Sequence, residues 1–123
     1  MSLLGSSATS VEPFERRYLD ALSEEGIDLP VFLDSWRRAM GDDLACLSVL
    51  CQEDDPDRLR GVLHRLSGAV GLVGACSLMV ALRHASALLH TPNSVAINAL
   101  IERAENLVMQ LDAQFVERRS HRS

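Results

Sequence analysis

Apolar residues return at helical spacing along nearly the whole chain. Leu59, Val62, Leu63, Leu66, Ala69, Val70 and Val73 fall on one stripe when the chain is wound at about 100° per residue. The most regular stripe comes later, through Ile97, Leu100, Ile101, Ala104, Leu107, Val108, Leu111 and Phe115. Leu33, Trp36, Met40, Leu44, Leu47, Leu50 and Cys51 make a third, Leu78, Leu82, Ala85 and Leu89 a fourth. A short fifth holds Phe14, Tyr18, Leu19 and Leu22. Each stripe is one apolar face of a helix that has to be covered by another.

Breaks between the stripes carry start and stop signals. The first helix is expected from residue 11 to about residue 24, stopped by Gly26. Asp28 caps the second and Pro30 sits in its first turn; it runs to about residue 52, with Gly41 a weak point midway. Asp54 or Asp55 caps the third, Pro56 opens it, the acidic run 53–57 complements its dipole, and it ends near Gly74. The fourth is expected from residue 76 to about 90, before the clearest loop in the chain, Thr91-Pro92-Asn93-Ser94. Long amphipathic helices with short connections predict an all-α fold: an antiparallel four-helix bundle with a short additional N-terminal helix. Residues 1–10, rich in Ser, Gly and Thr, read as a disordered leader, 11–118 as the bundle, and 119–123 as a frayed basic tail.

Composition narrows the classes. At 123 residues there is room for one domain, and 47% hydrophobic residues suffice for a core. A formal charge of −5 lacks the basic balance of a nucleic-acid binder. No apolar run reaches the roughly 18–20 residues that span a bilayer, and the start lacks the basic and apolar regions of a signal peptide. Cys46, Cys51 and Cys76 are odd in number and lack Cys-x-x-Cys spacing, so they read as small apolar residues of a cytoplasmic protein.

On the third helix His64 falls almost opposite the apolar stripe, among Arg60, Gly61, Ser67, Gly68 and Gly71. Three glycines inside a helix give up about 2–3 kcal/mol against alanine, out of a domain stability of about 5–15 kcal/mol. Helical side chains lean toward the N-terminus, so the residue four positions on covers a given side chain. For His64 that residue is Gly68, and Gly61 and Gly71 extend the bare strip. The pattern presents an imidazole to a flat partner surface. A neutral imidazole keeps one ring nitrogen free as a nucleophile. Helical glycines also serve close helix packing, but that use calls for apolar neighbours rather than Arg60 and Ser67.

The run His64-Arg65-Leu66-Ser67-Gly68-Ala69, followed by Gly74-Ala75, resembles the His-x-Leu-Lys-Gly-(Ser/Ala) signature of histidine-containing phosphotransfer (HPt) domains. The motif covers about a dozen residues, and the helical pattern extends the likeness over most of the chain. The resemblance implies a four-helix bundle whose histidine, here His64, accepts a phosphoryl group from an aspartate of a response-regulator receiver domain and passes it to another. It implies a monomeric carrier with no cofactor of its own, Mg²⁺ being expected from the receiver. The carrier is either free or part of a hybrid sensor kinase. The family's lysine three residues after the histidine is Ser67 here. Arg60 or Arg65 stands in for its charge, Arg60 lying nearer the right face. Leu72 is expected at the edge of the docking face, with a contribution from His84 on the next helix.

Other chemistries fit less well. There is no Gly-x-x-x-x-Gly-Lys loop or glycine-rich nucleotide fingerprint, so no ATP site is expected. His84, His90 and His121 lack ligand spacing, and the Glu-x-x-His pairs of di-iron bundles are missing, so no metal is expected. A kinase dimerisation helix would follow its histidine with an acidic residue and a Thr-Pro, which Arg65-Leu66-Ser67-Gly68 does not. An HPt-like docking module that carries no phosphate stays open because of Ser67.

Overall fold

A computed structural model describes residues 11–53, 55–87 and 94–122. Among these the fold is all-helical, without a strand: α1 Arg16–Glu24, α2 Leu29–Leu50, α3 Pro56–Leu72, α4 Cys76–Ala87 and α5 Ser94–Arg122. The expected leader, Asp54 as the alternative cap, Leu89, His90 and residues 91–93 lie outside the described residues, as do the side chains of Ser94, Phe115 and 119–123.

The start and stop signals act as their chemistry requires. Asp28 accepts the Val31 N–H at 3.3 Å, and Asp55 accepts the Arg58 N–H at 3.2 Å. A proline follows within the first two positions of each of these helices. Gly26 and Gly74 take positive φ, +94° and +83°. Each is followed by a backward hydrogen bond across six residues, Ile27 N–H to the Leu22 carbonyl and Ala75 N–H to the Val70 carbonyl, both 3.0 Å. These are Schellman stops, which satisfy carbonyls that a helix end would otherwise leave bare. Gly41 does not interrupt α2.

Two departures from the sequence pattern sit at the chain ends. Residues 11–15 are extended rather than helical. Gln110 of α5 engages both backbone groups of Glu12, donating to its carbonyl at 3.0 Å and accepting its N–H. Glu15 donates its N–H to the Gly74 carbonyl at 3.0 Å. A backbone bonded outward in this way cannot close helical turns, and Glu12, preceding Pro13, is itself disposed to extended conformation. At the other end α5 continues through Arg122, over residues that the pattern leaves as a tail.

The stripes meet in one core. Met40, Leu47, Leu63, Leu66, Val70, Leu78, Leu82, Ala104 and Leu107 are fully buried. Ile101, Val108, Ala69 and Ala85 are only partly so, at the edges of their stripes. α3 packs between α2 and α4, and α5 packs against the same two helices. Contacts give the helix directions. Trp36 donates Nε1–H to the Ala69 carbonyl at 2.9 Å, while Asp43, further along α2, meets Arg65, earlier on α3. Likewise Met79 of α4 lies over Gly71, while Ser86 reaches the carbonyl of Arg60. In both pairs one number rises as the other falls, so α3 runs antiparallel to each neighbour. Glu12, only 5% exposed, fixes the N-terminal segment onto α5 through a bidentate pair with Arg103 at 2.7 and 2.9 Å.

Candidate functional site

One edge of α3 is built from residues four, three and four apart: Arg60, His64, Ser67 and Gly71. Its ends are in contact with α4. Ser86 Oγ donates to the Arg60 carbonyl at 3.5 Å, and a Cβ at Gly71 would meet Met79 Sδ at 2.9 Å. The middle of the stripe therefore runs along the α3–α4 seam, with His64 on its exposed rim.

The glycines divide into two kinds. A Cβ built at Gly61 or at Gly68 finds no atom within 4 Å, so the surface beside His64 is open on the side of both. Gly71, expected on the same strip, is instead where Met79 of α4 approaches. Gly74 lies beyond the helix end. Its Cβ would stand 2.6 Å from the Glu15 carbonyl oxygen and 2.9 Å from Tyr18 Cδ1, so both its φ and its neighbours exclude any side chain.

Ser67 departs most from the expected picture. It is fully buried, and its Oγ donates to the His64 carbonyl at 2.6 Å, the local back-bond typical of serine inside a helix. At three residues past His64 it falls on the inner slope of the seam rather than on the water-facing strip. It presents nothing to a docking partner in this arrangement.

Both arginines expected near the histidine are exposed and already paired. Arg60 Nη1 lies 3.0 Å from Asp57 Oδ1 one turn back, and Arg65 Nη2 lies 2.9 Å from Asp43 Oδ1 on α2. The hydrogen bond to Asp43 pushes the Arg65 guanidinium above its already high ordinary pKa, so it stays charged. Leu72 is 51% exposed, a large apolar side chain at the C-terminal end of the same helix. His84 is exposed on α4. The sequence pattern gave no notice of Arg83. It shares an edge of α4 with Met79 and Ser86 and is exposed, without an ion pair among the described residues.

Other features of the surface do not join this site. A groove of about 700 Å³ between α2 and α5 is lined by Arg37, Gly41, Leu44, Ile101, Glu105 and Val108 among others, and no candidate site residue borders it. Among the described residues no three His, Cys, Asp or Glu side chains converge as a metal ion requires, and no helix is long and apolar enough to cross a membrane. Burial pushes the Cys51 thiol up, and Cys76 Sγ stands 3.9 Å from the Tyr18 hydroxyl at the α1–α4 contact. Compared with family models, with curated proteins and with solved structures, the chain matches none. The functional reading rests on its own residues and their placement.

Proposed function

We propose that this chain is a phosphorelay carrier of the histidine-containing phosphotransfer type. His64 accepts a phosphoryl group from a receiver-domain aspartate and passes it to another receiver. One observation carries the reading: His64 is exposed on a helix on which a methyl group added at the adjoining positions, Gly61 and Gly68, would meet no atom within 4 Å. A receiver can bring its phospho-aspartate in line with the ring without meeting a side chain on that side. In-line positioning is most of what phosphoryl transfer asks of a protein. The antiparallel register of α3 with α2 and α4 supports the architecture we infer, a four-helix bundle of α2 to α5 with α1 as the additional N-terminal helix.

The step balances as follows. A ring nitrogen of His64 gives its lone pair to phosphorus. The bond between phosphorus and the aspartyl oxygen breaks, and its electron pair stays with the receiver's carboxylate. The imidazolium so formed loses the proton on its other nitrogen to water. Transfer to the next receiver reverses the sequence. Mg²⁺ and the carboxylates that bind it belong to the receiver, and this chain acts as an intermediate rather than as an enzyme with an ATP site. We place it in the cytoplasm, as a monomer, alone or within a hybrid sensor kinase.

A second reading follows from Ser67. With that side chain buried, and with Arg60 and Arg65 held by Asp57 and Asp43, the motif presents no unpaired cation to a phosphoryl group. That favours a module which docks a receiver without taking phosphate. Labelled, phosphorylated receiver domains mixed with the chain and Mg²⁺ separate the two. Acid-labile, alkali-stable label on the wild type and none on His64→Gln is the result expected of a carrier. Receiver binding that survives His64→Ala, with no label on folded wild type, would establish the docking module instead.

A further inference from the structure

If His64 carries a phosphoryl group, as proposed above, its charge has to be met by a cation, and the motif's own positions do not offer a free one. We propose that Arg83, from the neighbouring helix α4, is the residue that faces the phosphoryl group on His64.

The placement follows from two contacts and the helical repeat. Met79, Arg83 and Ser86 are four and three residues apart, so they share one edge of α4. The two outer members touch α3: Met79 at Gly71 and Ser86 at the carbonyl of Arg60. Arg83 lies between them, opposite the middle of the 60–71 stretch. Counting from Met79, four residues at about 1.5 Å each bring Arg83 about 6 Å along the seam, level with Ser67. Counting from Ser86, three residues amount to about 4.5 Å and bring it level with Leu63. The two counts bracket His64. The intervening position, Ser67, is small and fully buried.

Charge supports the same assignment. Arg60 and Arg65 would each have to leave an aspartate before meeting a phosphoryl group. Arg83 is exposed and has no ion-pair partner among the described residues, so it is free to turn toward the rim on which His64 stands. A guanidinium fork matches phosphoryl oxygens in geometry as well as in charge. The sequence departs from the family signature at the very position whose side chain is buried under α4, and α4 brings a cation to the same level.

The test uses potassium phosphoramidate as donor, so that no cognate receiver need be known. In that reaction the P–N bond to ammonia breaks, ammonia leaves, and a P–N bond to the ring of His64 forms. Phosphohistidine is followed by phosphorus NMR in wild type, Arg83→Gln, Arg83→Lys and, as a control, Arg58→Gln. Arg58 is a second exposed arginine whose side chain takes part in no ion pair among the described residues. Arg83→Gln should slow formation of phosphohistidine by about two- to fivefold, the size of an exposed ion-pair contribution. Arg83→Lys should recover most of the rate, and Arg58→Gln should match wild type. Unchanged circular dichroism separates this from misfolding. Equal rates in wild type and Arg83→Gln would overturn the assignment while leaving His64 as carrier. A wild type that forms no phosphohistidine from phosphoramidate would overturn both.

Discussion

Four glycines of one helix and its stop teach opposite lessons. Gly61 and Gly68 stand where a methyl group would meet nothing, whereas Gly71 and Gly74 stand where it would strike Met79, Glu15 and Tyr18. The second pair is explained by folding: at Gly74 the N-terminal segment leaves no room for a side chain, and at Gly71 a methyl group would have to displace the flexible end of Met79 from α4. The first pair has no such cause. Alanine would fit at both positions and favour the helix, and under the proposed function these glycines preserve open surface beside His64. The same residue type thus meets a neighbouring element at two of these positions and open space at the other two.

Substitutions can break this contrast at several strengths. The largest effect is expected at Ser67. Ser67→Lys puts a long charged side chain into the closed α3–α4 seam and should lower stability by about 2–4 kcal/mol, read from the denaturant midpoint. An unshifted midpoint would mean that the seam opens at that point. Gly74→Ala comes next, at about 2–3 kcal/mol, because it combines a left-handed φ with a backbone clash against Glu15. The loss should appear in thermal melts and, locally, as faster amide exchange in residues 11–15. Gly61→Ala and Gly68→Ala have the opposite sign, each stabilising by about 0.5–1 kcal/mol. Gly71→Ala should lie within about 0.5 kcal/mol of wild type, since the gain in helix propensity offsets displacement of the flexible end of Met79. A large loss there would show that Met79 cannot move.

Much of the fold was legible because its signals are local. Asp28, Asp55, Gly26 and Gly74 act through bonds that reach only a few residues, and the apolar stripes follow from the helical period alone. His64 was legible for the same reason: its distance from the apolar stripe is a property of one helix. What escaped depends on which element lies beside which. Ser67 sits at the border between the wet and dry faces of α3, and only the approach of α4 decides that it is buried. Residues 11–15 carry helix-compatible spacing, but Gln110 and Arg103, about ninety residues away in sequence, hold Glu12 in extended backbone. Arg83 became a candidate only once Met79 and Ser86 were seen to touch α3. A helical wheel shows its edge but cannot say what that edge faces.

The measurement closest to the central claim compares Gly68→Ala with wild type in two readouts, thermal stability and phosphoryl transfer from a phosphorylated receiver. If the bare surface beside His64 serves access, the variant melts higher, by about 2–4 °C, and takes phosphate more slowly. A variant that melts higher and accepts phosphate as fast as wild type would contradict the claim, and the glycines beside His64 would need another explanation.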